Sequence, residues 1–164
     1  MTSRLPKTDG IYLITPQMDD TARLYSLIGS LLQQPPALLQ YRHKGTDPAL
    51  KHRQARALLL LCRDAGVPLV INDDWSLARD VGADGVHLGE LDGDLKTARS
   101  MLGRNAIIGA SCYNSLALAQ KATADGAEHV TALQRAFEAQ DGGGAVEPGA
   151  NVGQRAIKGA IQGL

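Results

Sequence analysis

Val70-Ile71-Asn72-Asp73-Asp74, followed closely by Gly85-Val86-His87-Leu88-Gly89-Glu90-Leu91-Asp92, decides how the chain is read. Each half is a short apolar run that stops in acidic residues. Residues 67–71, bounded by Gly66 and by Asn72-Asp73, have the length and apolar content of a buried strand, and residues 85–88 have the same character. The segment 75–82 between them is just long enough for a brief helix. Strand, helix, strand with carboxylates at both carboxyl ends is the unit of a parallel α/β sheet, and ligands bind outside those ends. Asp73 and Asp92 then share one rim and can share a hard cation such as Mg²⁺, which takes one or two carboxylates plus substrate phosphates. Asp74 reads instead as a helix N-cap.

The same rhythm extends both ways. Residues 11–15 form a β-type run ended by Pro16, and 37–41 form a second. Between them, Leu24, Leu27, Ile28, Leu31 and Leu32 recur at helical spacing, with Asp19 or Asp20 to cap and Pro35-Pro36 to close. Residues 48–65 predict a helix with Asp47 as N-cap, Pro48 at its first position and Gly66 after its end. Further on come helix 93–102, strand 106–110, helix 115–124 and strand 127–130. The junctions 81–86 and 124–130 look alike, as repeated βα units would. Strands alternating with helices this way predict a parallel sheet with right-handed crossovers.

After Val130 the pattern breaks. Residues 131–140 carry no strand signal, and 141–153 are Gly-rich around Gly142-Gly143-Gly144. That composition predicts a flexible segment, with a short final helix over 154–164. An eight-unit barrel needs about 200 residues or more, and about five and a half βα units are legible here. The expected organisation is an α/β unit over 1–130, an incomplete barrel, and an atypical tail over 131–164.

The chain has 164 residues and zero formal net charge, which gives no electrostatic reason to expect nucleic acid or an anionic membrane as partner. Cys62 and Cys112 have no metal-ligand spacing and argue for a reducing compartment. Met1-to-Gly10 is polar, unlike a signal peptide, and the longest apolar block, 57–62, is too short to span a membrane. The expected location is the cytoplasm.

Gln40, Arg42 and Lys44 lie two apart at a strand end, on one face, while Leu39 and Tyr41 turn toward helices. Polar residues there make sense against phosphate: Arg as a bidentate donor, Lys as a point charge. His87 alternates with Val86 and Leu88, and so points inward as either a satisfied core group or a catalyst. Ser111 follows Ile107 and Gly109 on one face and ends its strand, where it can bond a phosphate or simply start a helix. Cys112 reads as structural.

Gln40-Tyr41-Arg42-His43-Lys44, Ile71-Asn72-Asp73, the Gly82-to-Asp92 block and Ile107-Ile108-Gly109-Ala110-Ser111 together resemble thiamine-phosphate synthase, and Tyr12-Leu13-Ile14-Thr15 fits its opening strand. The resemblance implies a TIM (β/α)8-type barrel that joins a pyrimidine diphosphate to a thiazole phosphate and releases pyrophosphate. It implies that Gln40, Arg42, Lys44, Asn72 and Ser111 contact the pyrimidine diphosphate, with Tyr41 and His43 inside the same substrate-binding block. It implies Mg²⁺ on Asp73 and Asp92. Family chemistry is dissociative: pyrophosphate leaves, and the thiazole nitrogen attacks a pyrimidine-methyl cation.

The resemblance stops near Val130. The family's Thr-x-Thr-Lys type loop for thiazole phosphate and its later Gly-Gly turn have no counterpart in the tail. The expectation is a transferase by descent with its thiazole-phosphate half missing, and with unpaired strand edges that favour self-association. The alternatives are a thiazole tautomerase-like isomerase and a non-catalytic remnant. The diphosphate-directed cations favour the synthase over the tautomerase.

Overall fold

The computed structural model describes residues 10–112, 115–127 and 129–131. The Gly-rich tail and the helix expected over 154–164 lie outside them. Six strands and five helices alternate: β1 Tyr12–Ile14, α1 Thr21–Leu31, β2 Leu38–Tyr41, α2 Pro48–Ala65, β3 Leu69–Asn72, α3 Trp75–Val81, β4 Gly85–Leu88, α4 Leu95–Leu102, β5 Ile107–Ser111, α5 Leu116–Ala124 and β6 His129–Thr131. All strand pairings are parallel, and spatial order equals chain order, β1 to β6. A doubly wound sheet reverses direction at a switch point. Strict sequential order is instead the arrangement of a β/α barrel wall.

Local chemistry sets the ends of the elements. Asp20, Asp47, Asp74, Asp94 and Ser115 each accept a backbone N–H of the first turn that follows. Gly66 and Gly82 end α2 and α3 in the left-handed region, at φ 68° and 74°. Of the two cap candidates, Asp20 caps α1, and Asp19 is turned toward His43. Two details differ from the sequence reading. Helix α1 closes at Leu31, before the prolines, through the Leu32 N–H. Thr131 belongs to β6.

Period-two alternation separates two cores. Outward residues Leu39, Tyr41, Leu69, Ile71, Val86, Leu88 and Ile108 pack with Leu24, Ile28, Leu58, Cys62, Ala78 and Ala98 of the helices. Each fully buried aliphatic side chain there contributes about 1.5–3 kcal/mol. The opposite face holds a small apolar layer of Leu38, Val70 and Ile107 with Tyr12. Cys112 packs with Ala110 and Ala122, the structural role expected of it.

Two buried or bridging side chains escaped the periodicity. Gln54 of α2 accepts from the Tyr41 hydroxyl at 2.8 Å and donates to the Met18 and Asp19 carbonyls. Arg99 donates to the carbonyls of Gly103, Arg104, Ala106 and Gly126, and so ties the end of α4 to the entries of β5 and β6. Tyr41→Phe leaves the Gln54 oxygen without this donor in a dry site. Urea unfolding should show a loss of about 1–2 kcal/mol, and unchanged stability would contradict this bond.

Candidate functional site

The carboxyl ends of β2, β3, β4 and β5 carry the polar residues of the inner face. Above the apolar layer, Gln40 donates to the Tyr12 hydroxyl at 2.8 Å. The Tyr12 hydroxyl lies 3.5 Å from His87 Nδ1, and His87 Nε2 lies 2.8 Å from Ser111 Oγ. The ring of His87 meets Tyr12 edge-on. This row crosses β1, β2, β4 and β5 and places Gln40, His87 and Ser111 together, as their alternation predicts. Burial pulls the His87 pKa down to about 4, only partly opposed by Asp73, so the ring is neutral near pH 7. Burial also raises the Tyr12 hydroxyl pKa.

The rim lies one step further along the strands. Asp73 follows β3 with φ 63°, the only positive φ outside glycine among the described residues. Asp tolerates that conformation better than bulkier residues, and such outliers cluster at functional sites. Its N–H donates to the His87 carbonyl at 2.8 Å. Its carboxylate pairs with the Lys44 ammonium and is close enough to Asn72 and Asp92 to feel both electrostatically. Asp92 accepts the Gly89 N–H at 2.9 Å. Burial pushes both carboxyl pKa values up. For Asp73, Lys44 and the hydrogen bonds outweigh that and leave it lowered. Asp92 stays raised, by burial and by the neighbouring Asp73.

Two carboxylates held against each other, with one ammonium between them and solvent, form a donor set that a hard dication would relieve. Among the described residues no three His, Cys, Asp or Glu side chains gather to hold a metal. Arg42 stands exposed at the end of β2, held through its N–H by Thr15 Oγ1 at 2.9 Å. Its guanidinium has no partner among the described residues.

Two residues of the 40–44 block go elsewhere. Tyr41 is 2% exposed on the helix side, bonded to Gln54, because alternation turns it away from Gln40 and Arg42. His43 is buried against Tyr41 and bonded to Asp19. Both side chains therefore pack on the helix side of the strand, away from Gln40. Gln17, Asp19 and Gln54, which brace this loop, lie 13 to 36 residues from their partners and left no periodic signal.

Comparison with known proteins supplies the context. A family model described as thiamine monophosphate synthase matches residues 11–134. The thiamine-phosphate synthase of Azoarcus sp. is 51% identical over 121 residues, 74% of this chain and 59% of the relative. That of Xylella fastidiosa is 52% identical over 126 residues, 77% of this chain and 53% of the relative. Among solved structures, thiamine phosphate pyrophosphorylase from Pyrococcus furiosus matches with TM-score 0.66 at 28% identity, over 79% of this chain and 60% of that one. That likeness agrees with the barrel-type wall. The chain spans little more than half the length of the curated relatives it matches.

Proposed function

Because the chain belongs to the thiamine monophosphate synthase family, we propose that it carries the half of a transferase site that takes the pyrimidine diphosphate. The observation that supports this most is the junction of Lys44 with Asp73 and Asp92, with Arg42 exposed at the end of the neighbouring strand β2. Asp73 and Asp92 would hold Mg²⁺, which when bound neutralises charge on a diphosphate. Arg42 offers a planar pair of donors to a phosphate oxygen pair, and Lys44 a mobile point charge. Both would meet the negative charge that grows as the diphosphate departs, and charge set in place beforehand lowers that barrier. Asn72 orients Asp73, and Gln40 and Ser111 present hydrogen-bonding groups to a heteroaromatic ring from the inner face. Neutral His87 can accept or donate a hydrogen bond without adding charge there. The thiazole-phosphate partner reaction remains a proposal for the longer relatives' architecture. A tautomerase has no diphosphate to ionise, and the Arg42–Lys44 pair favours the transferase reading.

Calorimetry with the pyrimidine diphosphate in excess Mg²⁺ tests this. Arg42→Ala and Asp73→Asn should each weaken binding by about 1.5–3 kcal/mol, the range for charged hydrogen bonds. Unchanged affinity in both variants would refute the assignment. Among the described residues no helix is long and apolar enough to cross a membrane. The two free, buried thiols Cys62 and Cys112 suit a cytoplasmic setting. Within the described sheet β1 and β6 have one neighbour each, and we propose self-association through such edges, detectable by light scattering. A monodisperse monomer would exclude it.

A further inference from the structure

Lys44 is held by a loop that the β1–α1 connection grips at several points. Gln17 Oε1 accepts the Lys44 N–H at 2.8 Å. Gly45 N–H donates to His43 Nδ1 at 3.1 Å, and His43 Nε2 lies 2.9 Å from the Asp19 carboxylate. An Nδ1 that accepts leaves Nε2 to carry the proton and donate to Asp19, so the Gln17 amide nitrogen, 3.2 Å from the same Nε2, packs against it without donating to it. The ring lies flat on Tyr41, at 6.3 Å between centroids and 26° between planes. Tyr41 in turn bonds Gln54, which holds the Met18 and Asp19 carbonyls. The circuit therefore closes on itself around the backbone of Lys44. Position 45 supplies an independent sign of how closely the ring is seated. A Cβ there would lie 2.5 Å from His43 Cε1 and 2.9 Å from Nδ1, so glycine is what allows the ring in.

We propose that His43 is a positioning residue: its ring locks the loop that carries Lys44, and so sets how well Lys44 meets Asp73 and an incoming diphosphate. It does not touch the ligand. This rests on the diphosphate reading above, and the test separates the two. Inorganic pyrophosphate in excess Mg²⁺ is titrated into the full chain by calorimetry, and amide exchange is followed at Lys44 and Gly45.

His43→Ala should weaken pyrophosphate about fivefold to tenfold, the range for one net hydrogen bond, and should strip protection from both amides. In a Lys44→Ala background the same change should cost nothing more, since a residue acting through Lys44 is non-additive with it. Gly45→Ala should weaken binding when His43 is present and be neutral when residue 43 is alanine. That variant also serves if His43→Ala fails to fold. Equal weakening with and without Lys44, or wild-type affinity and protection in His43→Ala, would overturn the proposal. If the unmodified chain does not bind pyrophosphate, the diphosphate reading fails. Exchange alone then decides the latch: protection lost in His43→Ala upholds it, and protection kept overturns it.

Discussion

Gly85→Ala should destabilise the fold severely. The new Cβ would lie 1.9 Å from the Ile107 carbonyl oxygen and 2.6 Å from its carbon. Those are backbone atoms of the neighbouring strand, and they cannot step aside. Gly85 is registered with Val70 and Ile107, the Ile107 N–H donates to Asp84 O at 2.8 Å, and Asp84 bonds Leu69 through both N–H and carboxylate. Relief requires β4 and β5 to separate, which breaks the pairing that carries His87 and Ser111. We expect a loss at or above the upper end of the about 1–3 kcal/mol usual for overpacking, because the blocking atoms are backbone. Gly29→Ala is the control. It sits inside α1 with nothing nearer than Leu61 at 4.0 Å, and should stabilise by about 0.5–1 kcal/mol. Urea unfolding of both variants should move in opposite directions. A Gly85→Ala protein with ordinary stability would mean that β4 and β5 do not approach so closely.

Acid should destabilise the chain through His87. Its pKa is about 4 in the folded state against 6.5 for an unperturbed histidine, so the unfolded chain binds the extra proton first. Stability from this residue is complete above about pH 6.5 and falls as pH drops toward 4. The full loss is about 3 kcal/mol, of which about 2 kcal/mol has gone by pH 5. The groups that face the ring include the Tyr12 hydroxyl from β1 and Ser111 from β5, and Asp73 at the β3 end only partly opposes the effect of burial. Unfolding at pH 7.5 and pH 5 should show this loss in the natural chain and a clearly smaller one in His87→Asn. Equal losses in both would place the acid sensitivity elsewhere.

Much of the fold was legible because its signals are local. Asp47, Pro48 and Gly66 bracket α2 by their own chemistry, and the alternation of Gln40 with Tyr41 and of His87 with Val86 tells inner from outer face. Asp73 and Asp92 were legible as strand-end carboxylates. What stayed hidden depends on contacts far along the chain. Gln54 gives no sign in α2 that it holds the 15–20 loop, and His43 looks like any polar residue in a motif until Asp19 and Gly45 close around it. Gly85 resembles a simple strand start, and only its distance to Ile107 shows why it carries no side chain. Periodicity placed Tyr41 correctly, on the helix side of β2.

In the proposed site, Asp73, Asp92 and Lys44 take a diphosphate through Mg²⁺. The most direct measurement is a calorimetric titration of the full chain with inorganic pyrophosphate, once in excess Mg²⁺ and once in chelator, repeated with Asp92→Asn. Removing the cation leaves two carboxylates facing the phosphates, so binding should be lost in chelator and weakened by about 1.5–3 kcal/mol in the variant. Equal pyrophosphate affinity with and without Mg²⁺, unaffected by Asp92→Asn, would contradict the account.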